Sequence, residues 1–240
     1  MLKNNLIQQC TCGNTTDFTE DIINSIPVMT CSECGVSHQW LKGWDSKKLN
    51  DFYEHEYHKK FQETKGVITY EDRYQNDCKV ADLRLDAYQS MLPQGTCGLD
   101  IGSSNSAFVH QARRRGYACL GLEPGEDIGD SEVTIRGLLG EVYINPETRD
   151  WITMHDSIEH MVDVSSALVE VSRLLKPNGL VIIDLPDFWK PAGRHHWKAI
   201  EHLWFFTVDQ MTALLKENGF EVKAIKEPIP GKLVFYAVKQ

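Results

Sequence analysis

The 240-residue chain reads as an α/β protein on a doubly wound, mostly parallel sheet, carrying a small metal-ribbon module ahead of it. Three observations predict this. From Cys97 onward, short apolar runs alternate with helical patterns, as in a sheet wound with helices on both faces. The first of those runs ends in a turn of small residues that opens directly into a helix. Near the start, four of the seven cysteines fall in two close pairs. With 42% hydrophobic residues the length suits one large domain plus an appendage, and two large domains would not fit.

Cys10 and Cys12 are separated by one residue, Cys31 and Cys34 by two, and 18 residues lie between the pairs. Two turns brought face to face give the four thiolates that tetrahedral zinc takes, and Gly13 and Gly35, each just after a pair, permit the tight backbone required. A segment of about 45 residues has little core, so a structural zinc would supply its folding free energy, on the order of 10 kcal/mol. His38 can replace one cysteine, although a surface histidine beside Trp40 is the plainer expectation. Paired spacing and an odd cysteine count argue for a reducing, cytoplasmic setting rather than a disulfide framework. Module boundaries are expected at 1–45 (ribbon), 46–94 (helical cap) and 95–240 (main domain).

Within the cap, Leu49, Phe52, Tyr53, Tyr57 and Phe61 share one helical face, and a second helix near 77–92 is stopped by Pro93 and Gly95. Strands are expected near 97–101, 118–123, 132–136, 151–155 and 180–184. Helices fall near 105–115 and 163–176, the latter ended by Lys176-Pro177-Asn178-Gly179. Thr207 and Gln210 form a capping-box start for a helix ending near Gly219, and an antiparallel hairpin closes the chain.

The segment LDIGSSNSAF (99–108) is a strand, a small-residue turn and a helix start, which puts backbone amides at the sheet's carboxyl edge. Glu123, 23 residues after Asp100, ends the second strand and suits the two hydroxyls of a ribose. A pyrophosphate cofactor would want G-x-G-x-x-G, whereas here only Gly102 is followed by Ser103, Ser104, Asn105 and Ser106. The acid before Gly102 repels a pyrophosphate and suits a cationic sulfonium with an ammonium group.

On these residues the chain resembles the class I S-adenosylmethionine-dependent methyltransferases, with ubiquinone-biosynthesis O-methyltransferases among the similar members. The resemblance runs on through MHDSIEHM (154–161), LLKPNGLVIIDLPDF (174–188) and EHLWFFTVDQMTALLKENGF (201–220), and implies a Rossmann-like seven-stranded sheet. It implies Asp100 and Gly102 at the methionine end of the cofactor, with Ser103, Ser104, Asn105, Ser106 and His155 around it. Glu123 and Pro124 would lie at the ribose and Leu138 or Leu139 at the adenine. The family usually has glycine where this chain has Ser104 and Ser106; serine is expected to cap the next helix and leave binding intact.

Methyl transfer needs a positioned nucleophile and, for a hydroxyl, a base. Asp156, Glu159 and His160 would converge if the chain turned helically after the fourth strand. They resemble the acid-x-x-Glu-His segment of a metal-assisted branch, with His202 as the further histidine. That set implies a second divalent cation, Mg²⁺, Mn²⁺ or Zn²⁺. The alternatives are His160 or His202 acting alone as general base, or Glu159 and His160 as positions satisfied by ordinary hydrogen bonds. Trp189, Trp197 and Trp204 would either stack on a substrate or pack as a lid. The expected acceptor is a hydroxyl of a small molecule or sugar precursor. The alternatives are RNA 2′-O-methylation, disfavoured by a net charge of −9, and a non-catalytic cofactor-binding or partner-docking protein. No apolar run has membrane-spanning length.

Overall fold

In a computed structural model, residues 5–52, 70–93, 95–125 and 129–240 are described. Tyr53, Tyr57 and Phe61, expected on the face of the first cap helix, lie outside them, while Leu49 and Phe52 on that face are buried. None of the described helices is long and apolar enough to cross a membrane.

The amino-terminal module is a ribbon of β1 (Phe18–Ile23), β2 (Ile26–Cys31) and β3 (Ser37–Gln39), with a short helix α1 (Ser46–Phe52) after it. The next described element is α2 (Tyr70–Tyr88), which begins one to two turns before the expected helix. The main domain then runs β4 (Cys97–Ile101), α3 (Ala107–Arg114), β5 (Ala118–Glu123), β6 (Thr134–Arg136), β7 (Arg149–His155), a 3₁₀ turn at Ile158–His160, α4 (Val164–Leu174) and β8 (Leu175–Pro186). A second 3₁₀ turn (Pro191–His196), β9 (Trp204–Phe205), α5 (Val208–Glu217), β10 (Phe220–Lys226) and β11 (Lys232–Lys239) complete it.

Seven strands form the main sheet in the order β10-β11-β8-β7-β4-β5-β6. Strands β6, β5, β4, β7 and β8 are mutually parallel; the chain closes in the antiparallel hairpin β10–β11 that the sequence predicts, in which β11 runs against β8 and β10 runs with it. The order reverses at β4, so ligand space opens at the carboxyl ends of β4 and β7. The central strands are near-continuous apolar runs because both faces are covered: Leu99, Ile152, Met154, Val181, Ile182 and Ile183 are all fully buried. α5 starts where expected, since Thr207 and Gln210 form both halves of a capping box.

The ribbon is not a satellite. β3 pairs with β9 of the main domain, His38 opposite Trp204 and Ser37 opposite Phe205, so β1-β2-β3-β9 is one four-stranded sheet. Leu6, Ile7, Phe18, Met29 and Val36 of the ribbon belong to the same apolar cluster as Leu99, Ile152 and Phe206. His38 is therefore fully buried rather than at the surface, with its ring centroid 5.6 Å from Phe18 and 5.3 Å from Trp204. Burial holds it neutral, its pKa lowered to about 4. Trp204 and Trp197 are likewise packing residues: Trp204 is buried, and Trp197 stacks on Phe205 at 4.0 Å. Trp189 keeps substantial exposure.

Candidate active site

The loop after β4 is the left-handed turn on which the site is built. Gly102, Ser104 and Ser106 all have positive φ (77°, 47° and 62°). A side chain at 102 is excluded twice, by that φ and because its Cβ would meet the Ser157 Cβ at 2.8 Å. The two serines adopt the conformation that glycine takes without strain, and the structure shows what compensates. Glu123 accepts from the Ser104 N–H (2.8 Å) and the Gly125 N–H (3.0 Å). Ser106 does not cap α3 with its side chain, contrary to expectation. Its left-handed backbone turns the hydroxyl toward β6, where Oγ bonds to Thr134 Oγ1 (2.7 Å) and accepts from the Asp130 N–H (2.9 Å). The Asn105 side chain accepts instead from the Ala107 N–H (3.2 Å) and donates to Asp77 (2.7 Å).

Above this loop lies a crevice of about 110 Å³ lined by Asp100, Gly102, Ser103, Ser104, Asn105 and His155, with Asp77 and Arg84 of α2 on its far side. The sequence did not mark α2 as a wall of the site, because its acid and arginine read as ordinary helix-surface charges. Asp100 accepts from Thr153 Oγ1 (2.7 Å) and His155 Nδ1 (3.1 Å), and His155 Nε2 meets the Tyr88 hydroxyl (3.2 Å). Burial lowers the pKa of His155, so a neutral imidazole braces the Asp100 carboxylate. Burial also raises the pKa of Glu123, against the N–H groups of Gly125 and Ser104. The Gly137 N–H donates to the Glu123 carbonyl (3.2 Å); Leu138 and Leu139, which follow it, are half-buried, while Pro124 is exposed.

Beyond β7 the chain turns in 3₁₀ rather than α-helical geometry, with Asp156 at φ 49°. Asp156 precedes that turn, so its positive φ and not a shared helix face sets its direction, and it diverges from Glu159 and His160. Its carboxylate pairs with Lys232 and with Arg84 (3.4 Å), while Arg84 also holds Asp184 at 2.7 Å. This group at the ends of β7, β8 and β11 escaped sequence reading because only the antiparallel register brings Lys232 beside it.

Glu159, His160 and His202 do come together, with ligating atoms within 4.8 Å of one another. Glu159 is fully buried and neither oxygen completes a hydrogen bond; the nearer one lies 4.0 Å from His160 Nε2. Burial pushes its pKa up to about 8, its own N–H pulling the other way without closing a bond. Burial and the Lys198 cation push His160 down to about 3. Burial and His160 hold His202 well below the usual histidine range. His202 Nδ1 meets the His196 carbonyl, which can only accept, so Nε2 carries the lone pair. A buried carboxylate without a donor beside two neutral imidazoles is a donor set that a divalent cation fits. In the ribbon, Cys10, Cys12, Cys31 and Cys34 also bring their sulfurs within 4.8 Å of one another. The closest pairs are 3.4 and 3.6 Å apart, near the ~3.8 Å edge of a tetrahedron with ~2.3 Å zinc–sulfur bonds. Against the penalty of burial, the N–H groups of Cys34 and Glu33 and the Asn14 amide lower Cys31 to about 7.

A family model described as a methyltransferase domain matches residues 72–225, and the chain belongs to that family. Its fold is that of the class I, S-adenosylmethionine-dependent methyltransferases. Among curated relatives, it is 24% identical over 147 residues to a ubiquinone biosynthesis O-methyltransferase of Bradyrhizobium diazoefficiens, a match covering 50% of this chain and 56% of that protein. It is 28% identical over 186 residues to a 2-phytyl-1,4-naphtoquinone methyltransferase of Thermosynechococcus vestitus, covering 62% of this chain and 82% of the relative. A solved phosphoethanolamine N-methyltransferase 2 of Haemonchus contortus, in complex with S-adenosyl-L-methionine, superposes with a TM-score of 0.61 at 16% identity. That match covers 85% of this chain and 62% of the other.

The two loop serines should respond oppositely to glycine. Ser104→Gly relieves ~1–2 kcal/mol of left-handed strain against ~0.5–1 kcal/mol of added unfolded-state entropy and one long hydrogen bond from Arg73 Nη2 (3.4 Å), so the urea midpoint stays level or rises. Ser106→Gly also loses two hydrogen bonds and should lower stability by about 1 kcal/mol. For Glu159, a folded-state pKa near 8 means the folded protein holds a proton that the unfolded chain releases above its ordinary range. Stability of metal-free protein therefore falls as pH rises from about 4.5 through 8. Glu159→Gln should flatten that fall in urea titrations across the same window, and an equally steep fall in the variant would contradict the assignment.

Proposed function

We propose that the chain transfers a methyl group from S-adenosylmethionine to a hydroxyl of a small molecule, with the group Glu159, His160 and His202 activating that hydroxyl. The observation that carries the reading is Glu159, fully buried with neither oxygen completing a hydrogen bond. It sits two residues beyond Ser157, the residue that crowds Gly102 of the cofactor loop. A carboxylate left without a donor costs about 1–3 kcal/mol or more, which a protein retains for a ligand rather than for folding.

The cofactor supplies an electrophilic methyl on a cationic sulfur. Asp100, braced by His155 and Thr153, offers a fixed negative charge to its ammonium end. Glu123, already holding the Ser104 and Gly125 N–H groups, has a further lone pair on each oxygen for ribose hydroxyls. α2 lines the far side of the crevice with Arg84 and Asp77. At the acceptor end, the neutral imidazoles of His160 and His202 offer lone pairs to a cation rather than taking up a proton, and Glu159, on losing its own proton, would balance the cation's charge. A divalent cation held by Glu159, His160 and His202 would lower the pKa of a bound hydroxyl. Asp156, paired with Arg84 and Lys232, is not counted among those ligands. The name of the first relative, an O-methyltransferase of ubiquinone biosynthesis, favours an oxygen acceptor, and both names favour a quinone-type ring; a sugar hydroxyl presents the same oxygen chemistry. Zinc fits the four ribbon cysteines as a structural ion, with no ligand position left open for substrate.

Isothermal titration of the full chain with S-adenosylmethionine should show one site. Glu123→Ala should weaken it about 10- to 100-fold, as expected for lost charge-assisted hydrogen bonds, and absence of binding by folded wild-type protein would sink the reading. Methyl transfer to a panel of catechols and sugar nucleotides should occur and fall on adding a chelator, with ribbon zinc tracked separately. Product only on an RNA panel would overturn the small-molecule acceptor. Metal analysis should find one zinc per chain, lost on Cys31→Ser with a lower melting temperature.

A further inference from the structure

The segment that carries His202 is held from outside the main domain. Gln39, the last residue of β3, is 1% exposed, and every polar group of its side chain is spent on residues 198–202. Its Nε2 donates to the carbonyls of Lys198 (2.7 Å) and His202 (2.6 Å), and its Oε1 accepts from the Ile200 N–H (2.9 Å). Its backbone N–H donates to the Leu203 carbonyl (2.8 Å), and the Leu203 N–H donates in turn to the Glu159 carbonyl (2.8 Å). One run of hydrogen bonds thus passes from the ribbon strand through the His202 loop to the turn bearing Glu159 and His160.

The same loop contains Ile200 at φ 72°. A β-branched residue in the left-handed region is a costly conformation that persists only where its surroundings enforce it. Gln39 supplies that enforcement by bonding to the amide of Ile200 itself and to carbonyls on both sides of it. At the other end of β3, the Cys31–Val36 turn is closed by the Cys31 N–H on the Val36 carbonyl and the Gly35 N–H on the Cys31 carbonyl, both 2.9 Å. The placement of β3 therefore follows from the knuckle that carries Cys31 and Cys34.

We propose that Gln39 is a positioning residue for the acid–histidine site: it clamps the 198–203 loop so that His202 faces Glu159 and His160, and metal occupancy of the ribbon cysteines is felt there. This rests on the proposed role of Glu159, His160 and His202, although the clamp is testable without it. The ribbon is then part of the active-site scaffold, and losing its ion disorders a loop about one strand away rather than only the module itself.

The test compares wild-type full chain, Gln39→Ala and Cys31→Ser by amide hydrogen exchange, by Mn²⁺ titration and by S-adenosylhomocysteine titration. In Gln39→Ala, exchange across 198–206 should quicken at least about tenfold, the worth of one lost ~1.4 kcal/mol hydrogen bond. Protection across 98–106 and S-adenosylhomocysteine affinity should stay at wild-type values. Mn²⁺ affinity should fall about 10- to 100-fold, as when a residue supporting a ligand is removed. General destabilisation would move both segments together and would not give that split. Cys31→Ser should loosen the same 198–206 segment; if that variant fails to fold, Gln39→Ala decides. Unchanged protection of 198–206 in folded Gln39→Ala overturns the proposal. Wild-type protein that takes no Mn²⁺ while Gln39→Ala still loosens the loop removes the metal reading and leaves the clamp standing.

Discussion

The site depends on a backbone reversal at the end of the central strand. Three of five consecutive residues, Gly102, Ser104 and Ser106, are left-handed there, and the chain is kept in that shape by groups from four other elements. Glu123 of β5 takes the Ser104 amide, Thr134 of β6 takes the Ser106 hydroxyl, Asp77 of α2 takes the Asn105 amide, and Ser157 beyond β7 packs on Gly102. Loop shape and sheet order are consequently one constraint, since the acid that reaches a ribose also ties down the turn that receives the rest of the cofactor.

That coupling explains the serines. In a loop dependent on glycine alone, two L-residues at positive φ would cost about 1–2 kcal/mol each. Ser106 recovers much of this through its Oγ, which bridges to β6 and the Asp130 amide. The departure from the usual glycines is accommodated by a different set of hydrogen bonds, and the left-handed turn itself is retained.

Much of the architecture was legible because the signals were periodic or local. The apolar runs at 97–101 and 118–123, the Thr207–Gln210 cap and the closing hairpin each depend on a few neighbouring residues. The pairing of Glu159, His160 and His202 was legible through resemblance. What stayed hidden depended on tertiary placement. Asp156 was expected with Glu159, but its positive φ aims it at Arg84 and Lys232. His38 reads as polar and flanked by surface chemistry, yet β9 covers it completely. Arg84 and Gln39 carry no local signal at all, since their partners lie 100 and about 160 residues away.

The pairing of ribbon strand β3 with β9 of the main domain also bears on how a sheet margin is covered. Were the first 45 residues absent, β9 and the segment before it would present unpaired amides and the indole faces of Trp197 and Trp204 as an open sheet margin, the template on which chains add edge to edge. With the ribbon in place that margin is paired by β3, Ser37 facing Phe205 and His38 facing Trp204.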